Sequence, residues 1–488
     1  VAGRLWNMIS IYLFIPFYIQ AMGVKLYGLI GFFAVLQGLM AVADLGFSAT
    51  LQREFAIDHP NGKKLRLLRA AESIYLLIAL IAGAGFYFFA GSIGERWLNT
   101  EGIDPATTLS CVRYMGIAVC LQVLSTIYTG ALLGLEKQVL ANGLQMAWGL
   151  LKSGLVIPVL FAVSRPAETF FLWQIGANIV FLAALRMMLS KALGRGQHSE
   201  PAQGKDELFR RSLRFAGNII VLGLITGIIV QIDKLAVSKY LPIDDFSIYT
   251  LAGALAAVPV VVANPLAVAV YPKLTKAMAR KDAATTHKVF EQMYRLIAIA
   301  AAVVAVNIAL YSELLLELWT KKPLIAGKGG RVTAVLVLGQ MCLAQQVIPY
   351  YLALAAGKMK INIVLSAIGL ATLALLYWWI GSGSSLMVMA AVITVYHVLF
   401  SMVYILLVVR RFTSINPVNF LFRSSLLPVL GVIAAACPTY LLKPELGHWS
   451  LDLIYVSISS VAGFLVSAGL CFRLPPHRIP AYLRKDLL

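Results

Sequence analysis

Charged side chains are scarce in this 488-residue chain: Asp, Glu, Lys and Arg make up only 13%, where a soluble domain carries about 25%. That scarcity excludes an ordinary soluble domain. Acids are the scarcer sign, 22 against 41 Lys and Arg, which leaves a net charge of +19. Cysteine is nearly absent, and the five, at 111, 120, 342, 437 and 471, all fall in apolar runs without metal-type spacing. They read as small core residues, so neither a disulfide framework nor a thiolate metal site is expected. No G-x-x-x-x-G-K-[ST] loop occurs, because the Gly-Lys pairs at 62, 204, 327 and 357 lack a glycine five residues earlier. ATP drive within this chain is therefore not expected. There is no H-E-x-x-H and no His/Cys cluster. Nor is any outer loop long enough to house a soluble catalytic domain, so a transporter is favoured over an enzyme and no cofactor is expected.

What is present is apolar. Hydrophobic residues make up 60% of the chain and the mean hydropathy is +0.82. Runs of about 20 apolar residues suit a bilayer's hydrocarbon core, and fourteen are read here, centred near 13, 39, 83, 121, 150, 178, 225, 258, 305, 344, 370, 399, 432 and 462. The fold class is all-α, a polytopic membrane protein. The first run follows Arg4 closely but lacks a small-residue cleavage site, so it reads as a first transmembrane helix rather than a signal peptide. The N-terminus, every second loop and the C-terminus together hold 29 of the 41 Lys and Arg; the other side holds eleven. Under the positive-inside rule both termini are expected in the cytoplasm.

The chain divides at a polar, Gly-rich cytoplasmic stretch, GRGQHSEPAQGKDE, which has the composition of a linker. The expected organisation is an N-terminal lobe of six spans over 1–190, a linker over 191–212, a second six-span lobe over 213–412, and two further spans with a cytoplasmic tail over 413–488. Short matches recur across the linker. Arg4-Leu-Trp-Asn7 opens the first span and Arg214-Phe-Ala-Gly-Asn218 the seventh; Tyr27-Gly-Leu-Ile-Gly31 is echoed by Tyr249-Thr-Leu-Ala-Gly253, and Asn142 by Asn362. Six spans separate the copies, so they share an orientation, related by an axis along the membrane normal, with a cavity expected between them. Prolines at 16, 158, 259, 265, 349, 428 and 438 fall inside spans and permit bends there.

Lys152 is the remaining basic residue. It lies 15 residues beyond Lys137 and 11 before Val163, so it sits about 22 Å and about 16 Å from the two ends of its helix. A midplane ammonium costs several kcal/mol, which points to a watery or anionic cavity or to a carboxylate partner on another helix; contact with a substrate anion is favoured. Asp44, within the second span, is a candidate for a coupling ion, a proton or a pairing cation. Asp233, beside Lys234 near the outer end of the seventh span, is a second such candidate. Arg4, Arg53, Arg113 and Arg295 stand at span ends, where topology accounts for most such residues, yet guanidinium forks match phosphate geometry. Of the in-span amides, Gln145, Gln340, Gln345 and Gln346 have the chemistry to meet a hydroxyl-rich ligand, although most such groups bond between helices. His397 reads as structural.

The stretch Ile15-Pro16, Gly23, Tyr27-Gly28-Leu29, Asp44-Leu45-Gly46-Phe47, Arg53 and Ala56 resembles the polysaccharide transporter branch of the multidrug/oligosaccharidyl-lipid/polysaccharide exporter superfamily. So do Gly134-Leu-Glu-Lys137, Gln231-Ile-Asp-Lys234 with Tyr249, and Tyr271-Pro272. The resemblance runs over the whole chain. It implies a flippase that moves an undecaprenyl-diphosphate-linked oligosaccharide, an O-antigen or exopolysaccharide repeat unit, across the bacterial inner membrane by alternating access, biased by an H+ or Na+ gradient. Asp44 matches the family's acidic position in the second span. The resemblance also implies membrane lipids, a polysaccharide polymerase and a chain-length regulator as partners, and no nucleic acid.

Three other readings compete. A drug or cation antiporter of the same superfamily needs a cavity of carboxylates and aromatics, against which the deep charges here are at least as basic as acidic. A lipid II flippase shares the fourteen spans and cationic cavity. A membrane glycosyltransferase or polymerase lacks its soluble site.

Overall fold

The computed structural model describes residues 2–42, 47–57, 60–193, 205–381, 383–413, 415–442 and 449–473, and excludes the side chains of 2–12, 41–42, 47, 49–50, 205–222, 359, 449–451 and 471–473. Among the described residues the regular elements are helical. The first half runs α1 (Ala2–Val42), α2 (Phe47–Ala56), α3 (Asn61–Ser92), α4 (Pro105–Gly134), α5 (Gln138–Gly149), α6 (Val156–Ala162), α7 (Pro166–Leu193) and α8 (Lys205–Tyr240). After it come α9 (Ile243–Ala256), α10 (Val258–Ala279), α11 (Ala283–Leu310), α12 (Ser312–Thr320), α13 (Pro323–Ala355), α14 (Met359–Ile380), α15 (Leu386–Phe412), α16 (Pro417–Leu421), α17 (Leu427–Leu441) and α18 (Trp449–Arg473).

Twelve helices among the described residues are long and apolar enough to cross a membrane, which makes this a multi-pass membrane protein. The fourteen apolar runs of the sequence map onto these with two differences. The first and second runs lie on α1, whose 41 residues span about 62 Å, twice a hydrocarbon core. Gly23, at φ 78 and ψ 170, breaks the helix between them; that backbone angle favours glycine because a Cβ clashes there. The seventh run lies on α8, much of which falls among the undescribed side chains.

The chain forms two compact units, Val1–Ser247 and Ile248–Leu488. In the first, α2, α3, α4 and α7 bury Phe55, Tyr75, Ile127 and Leu185 in one core. Glycines permit the closest approach: a Cβ at Gly130 would stand 2.6 Å from the Ser48 carbonyl oxygen, and one at Gly134 would meet the Gln52 carbonyl oxygen, so α2 lies directly on α4. α8 packs with this unit through α1, where Gln231 lies against Gly38. In the second unit α13 is central, packed by α10, α11, α12 and α15. The pair α17 and α18, which corresponds to the last two spans, packs on α11.

The scarce acids partly serve as caps. Asp104 accepts from the Thr107 amide at 3.1 Å at the start of α4, and Asp282 from the Thr285 amide at 2.9 Å at the start of α11, satisfying otherwise orphaned helix donors. The Thr285 hydrogen bonds hold the Asp282 carboxyl below its ordinary pKa.

Three π-helical turns interrupt the helices: Ile93–Trp97, Leu150–Gly154 and Phe422–Leu426. Two of them have a sequence cause. A proline cannot donate to the carbonyl four residues back, and its ring crowds that carbonyl. Pro158 stands four residues after Gly154, and Pro428 four after Ser424, so each proline's crowded carbonyl belongs to a π turn.

Candidate anion-binding site

Lys152 lies inside the second of these turns. The Leu155 amide reaches back five residues to the Leu150 carbonyl at 3.0 Å, which loosens the neighbouring carbonyls from the helical ladder. Three side chains from other helices take them up in order. The Trp173 indole donates to the Leu151 carbonyl at 2.8 Å, Gln174 Nε2 to that of Lys152 at 2.8 Å, and the Tyr18 hydroxyl to that of Ser153 at 2.5 Å. The turn is thus fixed by α1 on one side and α7 on the other. We expect Gln174→Leu to lower unfolding stability by about 1–2 kcal/mol, because it strips a buried carbonyl of its donor. A thermal melt in detergent reads this directly, and an unchanged midpoint would mean that the turn holds itself.

The Lys152 ammonium rests 3.9 Å from the ring centroid of Trp148, one turn earlier. Among the described residues it has no carboxylate partner. Trp148 is itself immobilised. Its ring stacks on Phe181 at 4.6 Å, its indole donates to Asn178 Oδ1 at 3.1 Å, and Asn178 Nδ2 donates to the Ala118 carbonyl at 2.8 Å. An aromatic face attracts a cation by about 0.5–2 kcal/mol without neutralising it. The charge therefore stays available to an anion. Gln145 precedes Trp148 by three residues, and Gln145, Trp148 and Lys152 are all half-buried on α5 and its π turn; that spacing puts them on one face.

The other candidates are distributed as follows. Arg113 lies on α4, eight residues past its first residue, with its guanidinium carbon 4.4 Å from the Tyr87 ring centroid and its buried Nε without a partner among the described residues. It repeats the Lys152 arrangement of a cation on an aromatic face. Arg53 is exposed on α2. Asp233 is buried, with Lys234 Nζ 3.5 Å from its carboxylate. Gln340 is half-buried, whereas Gln345 is buried and accepts from the Tyr294 hydroxyl at 3.4 Å. The Arg4 side chain and all of Asp44 lie outside the described residues.

The position of Arg295 is corrected. The sequence puts it at a span end because Thr, His, Lys, Glu and Gln precede it; in the structure α11 starts at Ala283 and Arg295 lies about 18 Å into the helix. It is 5% exposed, its Nη2 is 2.6 Å from Glu291 Oε1, and its Nε donates to Ser424 Oγ at 3.4 Å. Its charge is matched inside the second unit. The aromatic seats of Lys152 and Arg113 and the three clamping side chains were not singled out from the sequence. Trp148 had a usable signal there, standing four residues before Lys152, the spacing of neighbours on a helix. Among the described residues no group of three His, Cys, Asp or Glu is placed to hold a metal ion.

The profile of the family described as polysaccharide biosynthesis protein matches residues 1–278. The chain belongs to this family. No curated protein sequence matches it. Among solved structures, the lipid II flippase MurJ in an inward closed conformation is similar over 96% of this chain and 97% of its own, with 13% identity and a TM-score of 0.71. An inward-facing multidrug resistance MATE family transporter of the MOP superfamily is similar over 84% of this chain and 94% of its own, with 13% identity and a TM-score of 0.64. The MATE transporter VcmN of Vibrio cholerae is similar over 85% and 96%, with 14% identity and a TM-score of 0.60. Together these show that the chain shares the fold of these solved transporters.

Proposed function

We propose that this chain is a flippase that carries an undecaprenyl-diphosphate-linked oligosaccharide, a polysaccharide repeat unit, from the cytoplasmic to the outer leaflet of a bacterial inner membrane. The observation that carries this reading is Lys152, a cation deep in a span that is seated on Trp148 and has no carboxylate partner among the described residues. Such a group costs several kcal/mol in hydrocarbon, and a diphosphate offsets that cost while an apolar or cationic substrate does not. Gln145 on the same face adds a neutral donor for the phosphate oxygens or the first sugar. Family membership supports the polysaccharide pathway, and the basic loops support cytoplasmic termini. Transport proceeds by alternating access driven by an ion gradient, with Asp44 or Asp233 as the coupling carboxylate, and with the polymerase and chain-length regulator acting on the product.

The assay is reconstitution in liposomes with a lipid-diphosphate oligosaccharide, scored by the fraction of saccharide that becomes open to an external glycosidase. Protein-dependent transfer is expected; no transfer beyond empty liposomes overturns the reading. Lipid II is the second substrate to test, because the similarity to MurJ covers 96% of this chain. Transfer of lipid II alone would replace the polysaccharide reading with that one.

A further inference from the structure

The second unit holds a cluster of open polar groups that the anion site does not use. On α13, Gln340, Gln346, Tyr350 and Tyr351 are all half-buried and fall within one sector about 140° wide at 3.6 residues per turn. Tyr271, from the cytoplasmic end of α10, packs on Tyr351 with ring centroids 5.2 Å apart, and Tyr350 meets Tyr351 edge-on at 5.5 Å. None of the three phenol hydroxyls has a hydrogen-bond partner among the described residues.

A fourth group without a partner among the described residues is buried behind them. Thr394 bonds the Val335 carbonyl at 3.0 Å and Ser401 bonds Gln346 Oε1 at 2.8 Å, so numbers on α15 and α13 rise together and the two helices run parallel. One turn beyond these contacts, Tyr350 on α13 corresponds to Tyr404 on α15. The Tyr404 hydroxyl donates to Asn362 Oδ1 at 2.5 Å. Asn362 is 1% exposed, yet its Nδ2 has no partner among the described residues. An unpaired buried amide donor costs about 1–3 kcal/mol, and unpaired amides and phenols are costly against lipid tails. This face is therefore built for something polar, and none of its groups carries a charge at neutral pH.

We infer that Tyr271, Tyr350, Tyr351 and Gln346 form a binding site for a neutral saccharide. Aromatic faces cover the C–H faces of a sugar ring, while phenols and amides exchange hydrogen bonds with its hydroxyls; a site of this kind, apolar walls with a few placed polar groups, suits a small uncharged ligand. The site lies at the end of the second unit that carries Lys273, Lys276, Lys358 and Lys360, the cytoplasmic end by the positive-inside rule. It receives the glycan on the loading side. This deepens the flippase reading, on which it rests.

Saturation-transfer NMR on the full chain in nanodiscs, with a mixed pool of neutral mono- to tetrasaccharides, tests the site. Protein-dependent signal from at least one pool member is expected. It should fall by about fivefold for each hydroxyl removed by Tyr271→Phe, Tyr350→Phe and Tyr351→Phe, variants that keep the packed rings, with melting temperatures checked alongside. No transfer to any pool member, or undiminished transfer in the triple variant, overturns the site. Binding of inorganic pyrophosphate to the wild type and to Lys152→Ala is measured separately. Saccharide binding without Lys152-dependent pyrophosphate binding would remove the anion reading and leave this site standing; the reverse would remove this site alone.

Discussion

Lys152→Ala is expected to abolish the proposed transfer of a lipid-diphosphate oligosaccharide in reconstituted liposomes, while the protein inserts and melts as the wild type does. The two halves of this expectation have separate causes. A charge-assisted hydrogen bond contributes about 1.5–3 kcal/mol, so losing the ammonium weakens diphosphate binding by roughly ten- to a hundredfold. Insertion moves the other way, because a lysine at a helix centre costs about 2.5–3.5 kcal/mol on insertion scales and alanine removes that cost. What alanine gives up in the folded state is the contact with Trp148 at 3.9 Å, about 0.5–2 kcal/mol. The gain exceeds the loss, so lost transfer cannot be ascribed to lost folding. Lys152→Arg keeps the charge but places a flat, larger group on the same seat, and partial transfer is expected of it. Undiminished transfer by Lys152→Ala would remove Lys152 from the substrate path.

Lys152 was legible in the sequence because a lone charge in a long apolar run stands out against hydropathy alone. The spans were legible for the same reason, since their length is fixed by the bilayer. What escaped was set by geometry that a linear pattern does not encode. The π turn under Lys152 follows from Pro158, but its clamp draws on Tyr18, Trp173 and Gln174, and only the fold brings their donors to three successive carbonyls. The tyrosines at 271 and 351 likewise meet only because α10 packs on α13. The amide group at 340, 345 and 346 was visible as a set, yet burial divides it: Gln345 faces Tyr294, while Gln340 and Gln346 are half-buried. Arg295 is a different case, since Glu291 stands four residues before it, the spacing of helix neighbours. That signal was in the sequence, and the helix start at Ala283 gives it its meaning.

The Glu291 and Arg295 pair supports the second large prediction. Both groups are 5% exposed, and the surrounding face of α11 is tightly built: the Tyr294 hydroxyl and Ser425 Oγ lie 2.5 Å apart, and Phe290 stacks on Phe420 at 5.4 Å. Removing one partner of a buried pair leaves the other charge uncompensated, at about 3–5 kcal/mol. Glu291→Ala is therefore expected to cut the yield of folded protein and to lower the melting temperature sharply. Replacing both partners is different in kind, because two desolvation penalties disappear together with the attraction. The double variant Glu291→Leu with Arg295→Met should return close to wild-type stability, measured in the same melts. Transfer by that double variant then decides what Arg295 is for. A folded, active double variant means that the arginine holds α11 to the π turn at Phe422–Leu426 and meets no phosphate. A folded variant that has lost transfer would return Arg295 to the substrate path, and the pair would then be the resting state of a cation that opens to a ligand.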